Sequence, residues 1–186
     1  MNTATTSTAL LFSLFAARAA GHPTAAALSK PRGLRGPFLA AQPRVLFIDI
    51  DGVLHPTGDT AIANEPALSD TLFCWLPTLA SALMSHADVS IVVHSTWRYM
   101  YKIDELRDIL ESLAPRVLGT TPLGPRYESI QWWLHLNPSF TNYRILDDDA
   151  SEFPAPPPPE LILCDPRQGV RDPRVLSLLT LWLEQV

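Results

Sequence analysis

Val45-Leu46-Phe47-Ile48 runs straight into Asp49, with Asp51 and Gly52 just beyond. The same arrangement recurs along the chain. Tyr143-Arg144-Ile145-Leu146 ends on Asp147, Asp148 and Asp149, and Leu161-Ile162-Leu163-Cys164 ends on Asp165. Ser90-Ile91-Val92-Val93-His94 ends on Ser95, with Arg98 a short step further on. If the apolar runs are strands of one parallel sheet, these polar residues meet on one edge, because ligands bind beyond the carboxyl ends of such strands. Carboxylates gathered in one place repel one another unless a cation sits among them. A hard divalent ion with oxygen ligands answers that repulsion, and Mg2+ suits a site that also keeps waters and a substrate phosphate.

The elements that must position these groups follow from the spacing of apolar residues. The runs are short and apolar throughout, as strands buried on both faces are. Between them the period turns helical. Helices are expected over Pro77–His86, with Leu79 and Leu83 inward, and over Ile103–Leu113, closed by Pro115. Two more are expected over Tyr127–Leu136, with Ile130, Trp133 and Leu136 inward, and over Pro173–Glu184, with Leu176, Leu179 and Leu183 inward. Val117-Leu118 adds a short strand, and Pro154–Pro159 reads as a polyproline loop. Strands alternating with helices predict a Rossmann-like three-layer α/β/α fold around a mostly parallel, five-stranded sheet. The domain is expected over residues 43–186.

Residues 1–42 differ in composition, being rich in Ala, Ser and Thr, with no Asp or Glu anywhere before Asp49. They read as a disordered or targeting leader, or an upstream start, and take no part in the fold argument. A cytoplasmic protein is expected, with organelle targeting or export through this leader as the alternative. From Asp49 onward nine basic residues face 19 acidic ones, a net charge of −10. That balance argues against a protein held to nucleic acid mainly by phosphate neutralisation. With 47% hydrophobic residues the chain has enough apolar content for a globular core. No apolar run approaches the ~20 residues of a membrane-spanning helix. Cys74 and Cys164 both have apolar neighbours and are expected to be buried, reduced and inert.

Phe47-Ile48-Asp49-Ile50-Asp51-Gly52-Val53-Leu54 resembles the first motif of the haloacid dehalogenase (HAD) superfamily. Ile91-Val92-Val93-His94-Ser95 is similar to its second motif and Ile145-Leu146-Asp147-Asp148-Asp149 to its fourth. The third motif supplies Lys or Arg before a helix, and Arg126 is the better match, with Lys102 as the rival. Ser95-Thr96-Trp97-Arg98, Trp132-Trp133 and Cys164-Asp165-Pro166 resemble a capless subgroup that includes the HAD domain of Swiss-army-knife RNA repair proteins.

The resemblance implies an HAD-like fold and a Mg2+-dependent phosphomonoesterase working through an aspartyl-phosphate. Asp49 would be the nucleophile, Asp51 the acid and base, Ser95 and Arg126 phosphate-binding catalytic groups, and Arg98 a substrate contact. The metal would sit among Asp49, Asp51, Asp147 and Asp148. Asp149 reads as a turn residue or one that supports the site from behind, Asp165 equally as a member of the carboxylate site or the start of a turn, His55 as a loop residue, and Trp132 and Trp133 as packing residues. Pro56–Trp75 and Gly119–Pro125 are too short to fold as caps, so an open site is expected. Such a site suits nucleic-acid ends or other large phosphorylated substrates, or closure by a partner subunit. The alternative is a catalytically idle HAD-like binding or scaffold domain, left open by the doubtful third motif.

Overall fold

Arg44–Ile48 form β1, the central strand of a parallel sheet, and all five residues are buried. A strand with neighbours on both edges and helices on both faces has no solvent side, which is why its sequence shows no polar alternation. The computed structural model describes residues 43–57 and 71–185. The leader at 1–42 and most of Pro56–Trp75 therefore lie outside the described residues. The other strands are β2 (Val89–Val93), β3 (Val117–Thr120), β4 (Asn142–Asp147) and β5 (Leu161–Leu163). They are ordered β3-β2-β1-β4-β5 and all pairings are parallel, so the sheet is wholly rather than mostly parallel.

This order is that of a Rossmann-like α/β fold. The chain leaves β1 toward β2 and β3, then returns to place β4 on the opposite flank of β1. The switch point thus lies between the carboxyl ends of β1 and β4, where ligands bind in such sheets. Ile48 pairs with Val93 on one side and Leu146 on the other, which brings Asp49, His94 and Asp147 level with one another.

The helices are α1 (Leu76–Leu83), α2 (Ile103–Ile109), α3 (Arg126–Leu136) and α4 (Pro173–Leu183). On one face Val45, Phe47, Val92 and Ile145 pack under Ile130 and Trp133 of α3, with Phe47 and Trp133 edge to face at 5.4 Å. On the other, α1 and α4 touch and bury Leu79, Leu83, Val175, Leu179 and Trp182. Arg44 clasps the amino end of the sheet. Its guanidinium donates to the carbonyls of Trp182 and Leu183, both at 2.9 Å, and to Asp88 at 2.6 Å.

Four details differ from expectation. The helix expected to Leu113 stops at Ile109, and Glu111 takes a φ of +42° as the first residue of a 3₁₀ turn over Glu111–Arg116. Leu136 is exposed, because the stripe through Ile130 and Trp133 next comes round at position 137. In α4 Leu179 and Leu183 are inward as expected, but Val175 and Trp182 join them, while Leu176 is only part-buried. Cys74 is exposed, whereas Cys164 is buried as expected. No helix among the described residues is long and apolar enough to cross a membrane.

Candidate active site

The chain turns sharply after β1, with the Val53 and Leu54 amides returning to the Ile50 carbonyl at 3.3 and 2.8 Å. Asp49, fully buried, accepts the Ile50 amide at 2.7 Å on Oδ1. Gly52 stands in the turn with φ +68°. A Cβ there would lie 2.0 Å from Asp148 Oδ2, so only glycine lets Asp148 approach. Asp147 closes β4, fully buried, and accepts the Asp149 amide at 2.8 Å. His94, also fully buried, meets Asp147 Oδ2 through Nε2 at 2.8 Å. Arg126 begins α3 and points back to the sheet edge. A single guanidinium nitrogen donates to Asp49 Oδ2 at 2.5 Å and to both oxygens of Asp147 at 2.8 and 2.9 Å. Ser95 is buried just beyond β2, and its hydroxyl accepts the Trp97 amide.

Burial pushes the Asp49 carboxyl above the usual carboxylate range, opposed by His94, Arg126 and Ser95 and reinforced by Asp147. Burial also acts on Asp147, but the His94 hydrogen bond and the charges of His94 and Arg126 outweigh it and hold that carboxyl low. Asp148 is pushed up to about 6 by burial and by the anions of Asp49 and Asp147. Arg126 stays charged despite burial because those two carboxylates face it. One oxygen from each of Asp49, Asp147 and Asp148 lies within 4.8 Å of the others. Three carboxylates crowd together here, and the donors are all hard oxygens. The cluster therefore fits a divalent cation of the Mg2+ type.

A family model described as "HAD domain in Swiss Army Knife RNA repair proteins" matches residues 45–175, well over half of the chain. The chain belongs to this family. HAD membership points to a hydrolase of the phosphatase kind. No curated protein and no solved structure matches the chain.

The HAD domain brings Asp49, Ser95, Arg126, Asp147 and Asp148 together at the switch point. Lys102, the rival to Arg126, is exposed at the start of α2. Asp51 is close in sequence, but its side chain lies outside the three-carboxylate cluster. Its Oδ1 meets His55 Nε2 at 3.1 Å and its Oδ2 accepts Trp97 Nε1–H at 2.9 Å. The Asp51 side chain thus turns toward these two donors rather than into the cluster. The expectation for Arg98 is corrected. It is buried, and its guanidinium donates to the carbonyls of His94, Ser95 and Gly124. It braces the Ser95 turn against the loop before α3 and offers no free fork to a substrate. Asp149 caps a local turn at Ser151, and Asp165 caps one at Arg167.

Sequence reasoning passed over His94, Trp97 and Thr57, whose hydroxyl reaches Asp148 at 3.3 Å. It also read His55 as a loop residue, whereas His55 is buried against Asp51. A histidine closing an otherwise apolar strand is the one available signal, since a fully buried polar group needs a partner.

Proposed function

We propose that this HAD domain is a Mg2+-dependent phosphomonoesterase with Asp49 as nucleophile, acting on a large phosphorylated substrate such as a nucleic-acid end. The observation that carries the reading is the convergence of Asp49, Asp147 and Asp148 within 4.8 Å beside the Arg126 guanidinium. Asp49, Asp147 and Asp148 would hold the ion, which when bound neutralises charge on the transferring group. Asp49 attacks phosphorus, and the bond to the leaving oxygen breaks with its electron pair on that oxygen. Asp51 gives that oxygen a proton. Water then attacks the aspartyl-phosphate and loses a proton to Asp51, freeing inorganic phosphate and the Asp49 carboxylate. Arg126 holds Asp49 in place and meets the developing negative charge, with Ser95 as a further donor. The alternative is a catalytically idle scaffold, and the bonding of Arg126 to Asp49 supports the catalytic reading over it.

The short loop of residues 121–125 between β3 and α3, which adds no element of its own, supports an open edge and a substrate that brings its own binding surface. The test is release of inorganic phosphate from a 5′- or 3′-phosphorylated oligonucleotide, its mononucleotide and a phosphopeptide, each with Mg2+ and with EDTA. The expected result is Mg2+-dependent turnover, higher kcat/KM for an oligomer than for its monomer, and no turnover by folded Asp49→Asn. Wild-type-like turnover by that variant would overturn the nucleophile, and full activity in EDTA would overturn the metal.

A further inference from the structure

We infer that His55 and Trp97 are positioning residues for Asp51, forming a two-donor fork that fixes the acid–base carboxyl of the phosphatase reaction proposed above, on which this inference rests. The two donors come from different parts of the chain. His55 follows the turn after β1, and Trp97 lies in the turn after β2. One takes Oδ1 and the other Oδ2, at 3.1 and 2.9 Å, so rotation of the carboxyl about either χ angle breaks a hydrogen bond. Both donors are themselves held. His55 is 3% exposed and Trp97 1% exposed. Phe73 makes a T-shaped ring contact with each of them at 5.2 and 5.3 Å, and Tyr101 stacks on Trp97 at 5.2 Å.

The tautomer follows from burial. His55 Nδ1 is buried with no hydrogen-bond partner. A proton on Nδ1 would strand a buried donor, so the proton belongs on Nε2, directed at Asp51. Asp51 nonetheless stays usable. Its side chain is 38% exposed, and each carboxyl oxygen has a second lone-pair site beyond the one that the fork occupies. The fork thus orients the acid from beneath while leaving its outer side to the leaving oxygen. Such orientation is what proton transfer needs, since the acid must sit within hydrogen-bond reach of the departing atom.

The experiment compares kcat/KM for an alkyl phosphate, whose leaving oxygen needs a proton, with that for 4-nitrophenyl phosphate, whose leaving group departs as a stable anion. Trp97→Phe keeps the ring and removes the donor. His55→Leu removes the donor, and His55→Gln restores an N–H near the Nε2 position. Asp51→Asn sets the benchmark for loss of the acid. The expected result is a fall of roughly 10- to 100-fold on the alkyl ester in Trp97→Phe and His55→Leu, a much smaller fall on the nitrophenyl ester, and recovery in His55→Gln. A purely structural role would lower both esters alike, and equal falls in the folded variants overturn the fork. Release of phosphate by the wild-type protein with Mg2+ from neither ester nor a phosphorylated oligonucleotide or peptide would instead overturn the phosphatase reading, and the fork with it.

Discussion

Gly52 and Asp148 approach so closely that no side chain fits between them: a Cβ on Gly52 would stand 2.0 Å from Asp148 Oδ2. Asp148 can reach the site only over a bare backbone. The same glycine holds φ +68°, which L-residues with a Cβ rarely adopt. Gly52→Ala should therefore both strain the turn and push Asp148 aside. The expected cost is about 1–3 kcal/mol of stability, read by denaturant unfolding. Calorimetric titration should show Mg2+ binding weakened at least tenfold.

Asp148 gains most from a cation, because burial and two neighbouring anions push its carboxyl up to about 6. Asp148→Asn removes that repulsion. In EDTA the variant should melt at or above the wild-type temperature. Addition of Mg2+ should raise the wild-type Tm and leave that of the variant nearly unchanged. Thermal unfolding with and without the ion checks both.

Arg126 makes all its contacts to Asp49 and Asp147 through one nitrogen. A lysine ammonium reaching the same point could replace them, whereas a methyl group could not. Arg126→Ala leaves two buried carboxylates facing one another without their cation and should cost about 3–5 kcal/mol. Arg126→Lys should keep most of the stability and a measurable share of phosphate release. Urea unfolding of the two variants, followed by single-turnover assays, separates these outcomes.

The Arg44–Asp88 pair gives a pH dependence far from the site. Hydrogen bonding from Arg44 holds the Asp88 carboxyl below its ordinary range. A depressed folded-state pKa means that the stabilisation is complete above the unfolded value near 3.8 and is lost as pH falls through the folded value. Asp88→Asn should therefore cost about 0.5–1 kcal/mol near pH 7, a figure kept small by solvent screening. The difference from wild type should vanish in acid below pH ~3. Unfolding curves at pH 7, 5 and 3 would show it.

The strand ends were legible because burial left no polar residue in β1 after Arg44 and put the first acid at its exit. Asp49, Ser95 and Asp147 could be found that way. Arg126 was legible as a basic residue at the start of a helix that had to face the same edge. The hydrogen-bond partners were not. Trp97 looks like packing and His55 like a loop residue, because nothing local says that Asp51 lies between them. Arg98 failed for the opposite reason: an arginine beyond a strand end resembles a substrate clamp, yet three backbone carbonyls had already taken it. Hydrogen bonds between distant segments depend on the sheet order, and apolar periodicity does not encode it.

Arg44 also brings the two ends of the domain side by side, since its guanidinium reaches the carbonyls of Trp182, Leu183 and Gln185. Those ends meet at the amino edge of β1, a strand length of roughly 16 Å from Asp49. This makes the domain a natural subject for circular permutation. A short Gly-Ser bridge could join residues 43 and 185, and the chain could be reopened in the loop between Pro154 and Pro159, without disturbing the carboxylates. A fluorophore or affinity handle attached at residue 43 or 185 would likewise leave the catalytic edge clear for a macromolecule to approach.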